Sequence, residues 1–563
     1  MLPTRTGAPF SPVQLQCIDC QCTTAYSPLT RTCPQCGGEW LEAVYDFDRI
    51  GPVLPGLLGS RPFDLWRYEE LLPVSRPALS MGEGGTPLIH APNLGMMLGC
   101  QHIYFKDERQ GPTSSFKDRQ AAVGVAAMKE AGVTEAVLAS TGNVAIAYSA
   151  YAARAGIKLW AFLTSLVPAE KMREVALYGT QVVKVTASYD QTRQVAAEFA
   201  RQRGLFLESG SRSPASVEAM KTIAYEIAEQ LTALLGPPDD APMRTPNWYI
   251  QSVSGGLGPL GVQKGFSELQ KMGLTGRMPA MAGIQVSGCA PMVQAWKQGQ
   301  PTADPVTSPR TNIATLSTGN PGRTYTLLVE RMAAGSGGTF ESVSDDEAFR
   351  AMHILAKMEG ISVEPATAVA VAGLIRLARS GQLKPSDVIV VNCSGHTVSI
   401  EGEVLGEGWA RSLVLPSQPP SPAALPQEGL LAALSRVTAG RYPRVAIVDD
   451  MPDARRLIRR ILQAQGDYTI FEAASGQEAL ELARRESPDL IILDLMMPEM
   501  DGFTVLDQLK ADARTAHIPV IVVTAKDLTP EEKERLKGQI HSLLQKGEFM
   551  NDELFDEVRA LIK

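Results

Sequence analysis

Along the middle of the chain, short apolar runs alternate with longer stretches in which apolar residues recur at helical spacing. The short runs are typical of buried strands, and the longer ones are typical of helices that cover a sheet. The pairs are 137–139 with 144–155, 158–163 with 169–178, and 182–185 with 191–202. This alternation predicts an α/β fold with a mostly parallel sheet, in which ligands bind at the carboxyl ends of the strands.

Small polar segments stand where such ligands would bind. Lys117 lies in P-T-S-S-F-K-D-R at the start of a helix-like stretch, where its amine is well placed to form an imine with an aldehyde cofactor. The turn 140–143, S-T-G-N, opens the next helix. The turn 254–258, S-G-G-L-G, precedes a helix predicted over about 260–270, so its backbone N–H groups can converge on a phosphate. A fourth segment, C-S-G-H-T, follows the buried-strand pattern 388–392.

In this order, and together with E-G-G-T-P-L at 83–88, these segments resemble the pocket of the threonine synthase family of pyridoxal 5′-phosphate (PLP) enzymes. The resemblance implies fold type II, as in the tryptophan synthase β superfamily, with a core of two subdomains. It also implies a Schiff base between PLP and Lys117, Asn143 beside the cofactor's 3-hydroxyl, and Ser394 at its pyridine nitrogen. The residues implied for the cofactor's phosphate are Ser254, Gly255, Gly256, Leu257 and Gly258.

The resemblance makes Lys117 and Ser394 the catalytic residues. A hydroxyl beside the pyridine nitrogen leaves that nitrogen largely unprotonated, so the ring is a weaker electron sink than it would be with an aspartate partner. Elimination and replacement therefore fit better than transamination. Asp118 and Arg119 are interpreted as support for the lysine. His396 has two open interpretations, as a residue of the pocket or as a structural histidine near it.

The segment expected to bind the substrate departs from the family pattern. Threonine synthases generally carry an asparagine and an arginine, upstream of a lysine-threonine helix, that hold the substrate's phosphate. Aligned on Lys221 and Thr222, those positions are Ser213 and Ser216, and serine cannot reproduce the charged, bidentate grip of arginine. Arg212 is a candidate to compensate from a shifted position.

The predicted function is a PLP-dependent lyase or synthase that carries out elimination or replacement on a small, phosphorylated amino acid. Two alternatives stay open. One is β-replacement, as in the related cysteate synthases. The other is a signalling protein whose PLP fold has lost catalysis and serves as a scaffold or amino-acid sensor. The retained lysine favours an enzyme, because a scaffold needs no imine-forming side chain, whereas the two serines favour the scaffold.

Five of the eight cysteines lie near the N-terminus. Two C-x-x-C turns, Cys17 with Cys20 and Cys33 with Cys36, can direct four thiolates at one tetrahedral ion, which predicts a structural zinc ribbon. Disulfides are the alternative, and a reducing compartment disfavours them. Cys22 is a further thiol that could replace Cys20 as a ligand. A similar ribbon precedes the PLP core in many threonine synthases.

The C-terminal region has a different motif, in which apolar strand-like runs end in acidic or hydroxyl residues. The runs 445–448, 490–493, 520–523 and 540–544 lead to Asp449 and Asp450, to Asp494, to Thr524 and to Lys546. Carboxylates at the ends of neighbouring parallel strands repel one another, and a divalent cation relieves that repulsion. The arrangement resembles the receiver domain of bacterial response regulators, which has a flavodoxin-like fold.

This second resemblance implies that Asp494 accepts a phosphoryl group. The residues that it implies for Mg²⁺ are Asp449, Asp450 and Asp494, and those for the phosphoryl oxygens are Thr524 and Lys546. Leu543 stands where many receivers have a switching aromatic, and Gly547 replaces the usual proline, so the output is expected to take an unconventional route. The six histidines are isolated and no ATP-binding glycine boxes accompany them, so a separate sensor histidine kinase is the expected phosphoryl donor.

Composition limits the partners and the location. The 563 residues carry a net charge of -8, and 44% of them are apolar. We therefore expect neither nucleic acid nor a membrane as a partner, and the lack of a long apolar run or a signal-peptide pattern predicts a cytoplasmic protein. A homodimer is inferred from the PLP family. The predicted parts are a zinc ribbon over 1–50, a PLP core over 51–411, a proline-rich linker over 412–442 and a receiver domain over 443–563.

Overall fold

The structure is a computed structural model that describes residues 13–74, 80–164, 167–335, 337–396, 443–465, 468–526, 528–545, 557–558 and 561. The described residues form two compact units. The first contains an N-terminal ribbon and two central sheets, and the second contains the C-terminal sheet. The predicted linker, 412–442, lies outside the described residues.

Three short antiparallel strands form the N-terminal ribbon. They are β1 (Gln14–Cys17), β2 (Thr23–Ala25) and β3 (Leu41–Val44), in the order β2-β1-β3. Alternate side chains of β1 and β3 point inward, so Leu15, Cys17 and Ala43 form a small core with Cys33. Two short helices follow, α1 (Phe47–Ile50) and α2 (Leu54–Leu58).

Strands and helices alternate through the central region. The strands are β4 (Leu88–His90), β5 (His102–Asp107), β6 (Glu135–Ser140), β7 (Lys158–Thr164), β8 (Gln181–Val185), β9 (Phe206–Leu207), β10 (Trp248–Ser252), β11 (Ala280–Val286), β12 (Gly338–Val343) and β13 (Val388–Cys393). The helices are α3 (Pro92–Leu98), α4 (Lys117–Glu130), α5 (Asn143–Ala155), α6 (Ala169–Leu177), α7 (Tyr189–Arg203), α8 (Pro214–Leu235), α9 (Leu257–Lys271), α10 (Pro291–Lys297), α11 (Arg323–Ala334), α12 (Asp345–Glu359) and α13 (Pro365–Arg379). Short 3-10 turns span Leu65–Leu71, Glu108–Gln110, Gly210–Arg212 and Ala314–Leu316.

These strands form two sheets. The larger has the order β12-β11-β10-β13-β5-β4 and is parallel apart from β4, which pairs antiparallel with β5. The smaller has the order β8-β7-β6-β9 and is parallel. Strand β13 is buried along its whole length, as expected for a strand covered on both faces.

Helix α8 is shared by the cores of both sheets. Its first turns place Ala215 and Ala219 in the core that surrounds the smaller sheet. The following residues, Met220 and Ile223, belong to the core of the larger sheet. One continuous helix therefore fixes the relative positions of the two halves between which a ligand can bind.

The C-terminal sheet has five parallel strands in the order β15-β14-β16-β17-β18. The strands are β14 (Arg444–Val448), β15 (Thr469–Ala473), β16 (Leu490–Leu493), β17 (Val520–Thr524) and β18 (Ser542–Gln545), and the helices are α14 (Pro452–Gln465), α15 (Gly476–Glu486), α16 (Gly502–Ala511) and α17 (Pro530–Leu536). Apolar cores lie on both faces of the sheet. This strand order is that of the flavodoxin-like fold.

The predicted α/β architecture is confirmed, and each predicted strand or helix of the central region ends within three residues of the observed one. The helix predicted from about residue 260 begins earlier, at Leu257, because Gly256 adopts a left-handed conformation that starts the helix there. The last predicted strand, 540–544, lies at Ser542–Gln545. Among the helices that the structure describes, none combines the length and apolarity needed to cross a bilayer.

Candidate active site

The small polar segments predicted from the sequence meet around one cavity of about 570 Å³. Lys117, Asn143, the turn 254–258 and Ser394 all contribute to its wall. The turn follows β10 and Ser394 follows β13 in the larger sheet, while Asn143 lies beyond β6 of the smaller sheet. Because the strands within each sheet are parallel, their carboxyl ends bring segments that are distant in sequence to the same place.

Lys117 is the first residue of α4, and its amine lies 4.2 Å from the centre of the Phe116 ring. Burial disfavours a charged amine and lowers the pKa of Lys117 to about 8, although the nearby carboxylate of Glu364 acts in the opposite direction. A substantial fraction of the amine is therefore neutral near pH 8. A neutral amine is the form that attacks an aldehyde.

Asp118 holds the loop that leads into Lys117. It accepts hydrogen bonds from Thr113, at 2.5 Å from the hydroxyl and 2.9 Å from the backbone N–H. Burial raises the pKa of Asp118 to about 6, although these hydrogen bonds lower it. Gly111 packs so closely that a Cβ there would lie 2.3 Å from the Asp118 carboxylate.

A carboxylate that the sequence reasoning did not single out joins the predicted residues. Glu364 is 3% exposed and accepts hydrogen bonds from Nδ2 of Asn143 at 2.8 Å and from Oγ of Ser394 at 2.9 Å. The amine of Lys171 donates to Oδ1 of Asn143 at 2.5 Å and lies 3.8 Å from Glu364. These contacts fix the amide of Asn143 in one orientation, with its carbonyl towards the lysine and its NH₂ towards the carboxylate.

The turn before Asn143 has the geometry of a helix start. Oγ of Ser140 accepts hydrogen bonds from the backbone N–H groups of Gly142, at 3.0 Å, and Ala145, at 3.1 Å. Gly142 has φ +142°, a conformation that side-chain-bearing residues rarely adopt. The turn therefore places Asn143 at the first position of α5, on the wall of the cavity.

Two glycines of the glycine-rich turn leave no room for a side chain. Gly256 has φ +87°, and a Cβ there would lie 2.6 Å from the side chain of Thr324. A Cβ on Gly258 would lie 2.4 Å from the amide of Gln251. Ser254 is fixed by a hydroxyl contact of 2.6 Å with Thr318. The turn ends at the N-terminus of α9, where backbone N–H groups and the helix dipole favour an anion.

Ser394 is 3% exposed and lies at the end of β13, where its hydroxyl contacts Thr367 as well as Glu364. Its hydroxyl lies 3.0 Å from that of Thr367, and its backbone N–H donates to the same Thr367 oxygen at 2.9 Å. His396 follows on the exposed side, where its backbone N–H donates to the carbonyl of Ser114 at 3.0 Å. The side chain of His396 is not part of the cavity wall.

The two serines at the substrate positions are not part of the cavity wall. Ser216 is fully buried, and its hydroxyl donates to Glu208 at 2.9 Å. Ser213 is 5% exposed and lies outside the cavity wall. Arg212 does line the cavity, and its guanidinium donates to Glu39 of the ribbon at 2.5 Å.

Arg119 belongs to a buried charge cluster beneath Lys117. Its guanidinium donates to Glu108 and to Glu226, with N–O distances of 2.6–2.8 Å, and to the hydroxyl of Thr86 at 3.1 Å. The amine of Lys106 donates to Glu226 at 2.6 Å. The 83–88 segment is thus joined to α4, β5 and α8 by hydrogen bonds rather than placed on the cavity wall.

The four cysteines of the ribbon converge. Cys17 Sγ lies 3.6 Å from Cys36 Sγ, and Cys20 Sγ lies 3.5 Å from Cys33 Sγ. All four sulfurs lie within 4.8 Å of one another, a set that four-coordinate zinc accepts. Cys22 is outside this set, and its thiol lies 3.7 Å from the Thr23 carbonyl.

Three carboxylates converge in the same way at the C-terminal sheet. Asp449 and Asp450 follow β14 and Asp494 follows β16, with one oxygen of each within 4.8 Å of the others. Asp449 and Asp494 are almost fully buried, at 1% and 3% exposure. Thr524 ends the adjacent strand β17 and is 1% exposed. Lys546 and Gly547 lie outside the described residues, and Leu543 is 39% exposed.

Comparison with known proteins gives these sites a family. Residues 79–395 match the pyridoxal-phosphate dependent enzyme family. The threonine synthase of Methanosarcina acetivorans is 34% identical over 384 residues, which cover 68% of this chain and 91% of the relative, and that of Methanocaldococcus jannaschii is 35% identical over 385 residues, with the same coverage. The chain belongs to the pyridoxal-phosphate-dependent enzymes. Its PLP domain is threonine synthase-like.

The C-terminal sheet has a match of its own. Residues 445–559 match the response regulator receiver domain. The predicted fusion of a threonine synthase-like PLP enzyme domain with a receiver domain is confirmed. Diaminopropionate ammonia lyase from Escherichia coli shares the fold of the PLP domain, with a TM-score of 0.50 and 17% identity over 59% of this chain and 89% of that chain.

The cavity of the PLP domain fits the family's cofactor. Its wall carries the buried amine of Lys117, which has a lowered pKa, and a turn in which Gly256 and Gly258 leave no room for a Cβ. The residues that sequence reasoning missed, Glu364 and Lys171, carry no glycine or hydroxyl motif. The Glu364-Pro365 pair does signal the start of α13, which locates a helix but says nothing of its neighbour across the cavity.

Proposed function

We propose that the PLP domain is a lyase that acts by elimination or replacement on a small, phosphorylated amino acid. The observation that carries this proposal is the amine of Lys117, which burial brings to a pKa of about 8 beside a cavity large enough for a cofactor and an amino acid. The curated relatives are threonine synthases, which supports chemistry of this type.

The chain's own residues have distinct roles in this proposal. Lys117 holds PLP covalently, the turn 254–258 binds its phosphate through backbone N–H groups, and Asn143 and Ser394 orient its ring. When bound, PLP supplies an electron sink that stabilises negative charge on the substrate. Once released, the amine of Lys117 can accept and return a proton at Nζ. Glu364 keeps Asn143 and Ser394 in place through its two hydrogen bonds.

The net reaction is balanced. A proton leaves a carbon of the amino acid, and the C–O bond to the phosphate group breaks to release inorganic phosphate. Water or another nucleophile then adds to the remaining skeleton, and one proton returns to carbon. With water, a phosphorylated amino acid and H₂O give a hydroxy amino acid and phosphate.

The first experiment is the visible absorbance of the full chain mixed with PLP, followed by assays of phosphate release from O-phospho-L-homoserine and O-phospho-L-serine. Wild type should take up PLP and turn yellow, and Lys117→Ala should lose both the colour and all but a trace of turnover, a fall of several orders of magnitude. Lys129→Ala, which removes an exposed lysine from the same helix, is the matched control and should change neither. A wild-type protein that remains colourless with PLP would leave only the scaffold function.

We further propose that the receiver domain accepts a phosphoryl group at Asp494 in a Mg²⁺ site formed with Asp449 and Asp450. The convergence of three carboxylates, two of them buried, supports this, because a divalent cation relieves their repulsion. Acetyl phosphate with Mg²⁺ should label wild type but not Asp494→Ala. Asp453→Ala, an exposed carboxylate on the neighbouring helix, should label as wild type does. Equal labelling of Asp494→Ala would refute the assignment.

Phosphorylation is proposed to tune the PLP domain, with a separate histidine kinase as donor. The fusion of the two domains in one chain supports this proposal. Turnover measured before and after acetyl phosphate treatment should differ in wild type and be constant in Asp494→Ala. Unchanged wild-type turnover would mean that phosphorylation of the receiver does not act on the PLP domain. The homodimer inferred from the family stays a prediction.

The ribbon is proposed to bind one structural zinc ion through Cys17, Cys20, Cys33 and Cys36. The convergence of their sulfurs supports the ligand set, and the separate position of Cys22 argues against its substitution for Cys20. Metal analysis should find one zinc per chain in wild type and in Cys22→Ser, and much less in Cys20→Ser. Zinc retained in Cys20→Ser but lost in Cys22→Ser would reverse the assignment.

A further inference from the structure

Two arginines from different parts of the chain line the wall of the cavity. Arg212 ends the 3-10 turn Gly210–Arg212, and Arg323 begins α11. The hydroxyls of Ser211 and Thr324, the residues next to them in sequence, lie 3.1 Å apart. This contact joins the two segments that carry the arginines.

Each of these arginines is paired with a carboxylate of the ribbon. Nη1 of Arg212 donates to Glu39 at 2.5 Å, and Nη1 of Arg323 donates to Asp19. Asp19 lies in the first C-x-x-C turn and Glu39 lies just beyond the second, and Glu39 is itself part of the cavity wall. Both arginine side chains are 35% exposed.

The two guanidinium groups keep donors available for a ligand. Their hydrogen bonds to described residues use Nη1, whereas an arginine has five N–H donors arranged in a planar fork. Two such forks on one cavity wall suit a doubly charged, multi-oxygen anion, and charge-assisted bonds of this kind are the strong ones. The ribbon carboxylates offset the mutual repulsion of the arginines while no such anion is bound.

Two further charged residues of the wall, Arg193 and Asp190, are paired with each other. Arg193 lies 3.8 Å from Asp190. Asp190 also accepts hydrogen bonds from the backbone N–H groups of Gly319 and Asn320, at 3.2 Å each, and so holds the loop that leads to Arg323. Ser213 and Ser216 are buried and are not part of the cavity wall.

We propose that Arg212 and Arg323 form the subsite for the phosphate group of the substrate, and that Asp19 and Glu39 of the ribbon are the positioning residues that hold this pair. The inference rests on the proposed lyase function and names the residues that select a phosphorylated amino acid. It also assigns a role to the ribbon, which becomes part of the substrate-binding apparatus.

The test uses the full-length holoenzyme and compares the affinity for O-phospho-L-homoserine with that for L-homoserine, read from the visible absorbance of the bound cofactor. Wild type should prefer the phosphorylated form. Arg212→Gln and Arg323→Gln should each reduce this preference on the order of tenfold to a hundredfold, since each removes charged hydrogen bonds to the anion. Calorimetric titration with inorganic phosphate should show the same loss. Arg201→Gln, an exposed arginine that pairs with Glu198 and lies outside the cavity wall, is the control and should behave as wild type.

The possible failures are distinct. If wild type takes up PLP but binds both forms of the amino acid equally, the subsite is absent while the lyase function stands. If either arginine variant loses affinity for PLP itself and keeps the preference for the phosphorylated amino acid, the pair serves the cofactor's phosphate and the proposal is overturned. If wild type binds no PLP, the proposed function itself fails.

The ribbon is tested by Asp19→Asn and Glu39→Gln, with zinc content measured on each. Both variants should keep their zinc and their affinity for PLP, and should lose part of the preference, roughly twofold to tenfold, because the arginines are less well fixed. The change should appear in KM more than in kcat. A gain in affinity for phosphate would show that the carboxylates compete with the substrate, which would overturn their positioning role.

Discussion

The PLP domain and the receiver domain bury charge in opposite ways. In the PLP domain, Lys106 and Arg119 are matched by Glu108 and Glu226 at N–O distances of 2.6–2.8 Å. A second cluster matches two lysines with two glutamates at 2.5–2.9 Å, namely Lys221 and Lys264 with Glu218 and Glu268. The receiver domain instead gathers Asp449, Asp450 and Asp494.

The difference distinguishes charged groups that stabilise the fold from charged groups that are assigned to chemistry. A balanced buried cluster ties elements together, whereas converging carboxylates repel one another and can bind a divalent cation. Lys117 also lies outside the balanced clusters, because burial lowers the pKa of its amine and Glu364 opposes this shift only in part.

The largest expected effect comes from breaking a balanced cluster. Arg119→Met leaves two buried carboxylates with one lysine and should destabilise the PLP domain by about 3–5 kcal/mol. Denaturant unfolding followed by tryptophan fluorescence measures this selectively, since all six tryptophans precede residue 443. Adding Glu226→Gln to Arg119→Met should recover part of the loss, because the cluster is again balanced. Additive losses in the double variant would mean that the cluster is not electrostatically coupled.

The next effect should have the opposite sign. The pKa of Lys117 falls from its ordinary 10.5 to about 8 on folding, so between these values the unfolded chain binds the extra proton and stability rises with pH. Below about pH 8 the full cost of the buried charge is present. Lys117→Met should therefore stabilise the cofactor-free protein by on the order of 1–3 kcal/mol at pH 7, and the gain should fade between pH 8 and 10.5. A gain that is independent of pH would point to packing instead.

The same pKa sets the pH dependence of cofactor uptake. Because the neutral amine is the reactive form, the rate at which cofactor-free protein takes up PLP should rise with pH and level off above an apparent pKa near 8. A change of about tenfold is expected between pH 7 and the plateau. Stopped-flow absorbance measures it, and a midpoint near 10 would show that the amine is solvated.

The smallest effect should come from the receiver. Asp450→Asn removes one of three mutually repelling carboxylates and should stabilise the receiver domain by about 1 kcal/mol in the absence of divalent cations. Mg²⁺ should stabilise wild type more than the variant, as shown by the calorimetric transition of the receiver domain with and without the ion. An acid pocket as well balanced as the clusters of the PLP domain would instead lose stability in this variant.

The local sequence pattern was enough to predict the strands and helices that surround the site. The strands and helices around Lys117, Asn143 and Ser394 carry their own periodicity and turn residues, and parallel strands place their ends together by rule. The partners that complete the site come from elsewhere. Glu364 and Lys171 reach Asn143 only through the tertiary fold.

Alignment has a similar limit. The resemblance located Ser213 and Ser216 where the family has substrate ligands, but it could not show that neither is part of the cavity wall. The hydroxyl of Ser216 donates instead to Glu208. Arg323 had no motif at all, and its segment is joined to that of Arg212 by a contact between the hydroxyls of Ser211 and Thr324.

The contact between the ribbon and the PLP core determines where the chain can be truncated. The ring of Tyr45 lies 4.0 Å from the Lys221 amine, its hydroxyl donates to Glu218 at 2.8 Å, and the Ala43 carbonyl accepts from Lys264 at 2.9 Å. A fragment that starts after these residues would open the second charge cluster to water. Truncated versions of the enzyme should therefore retain the first fifty residues.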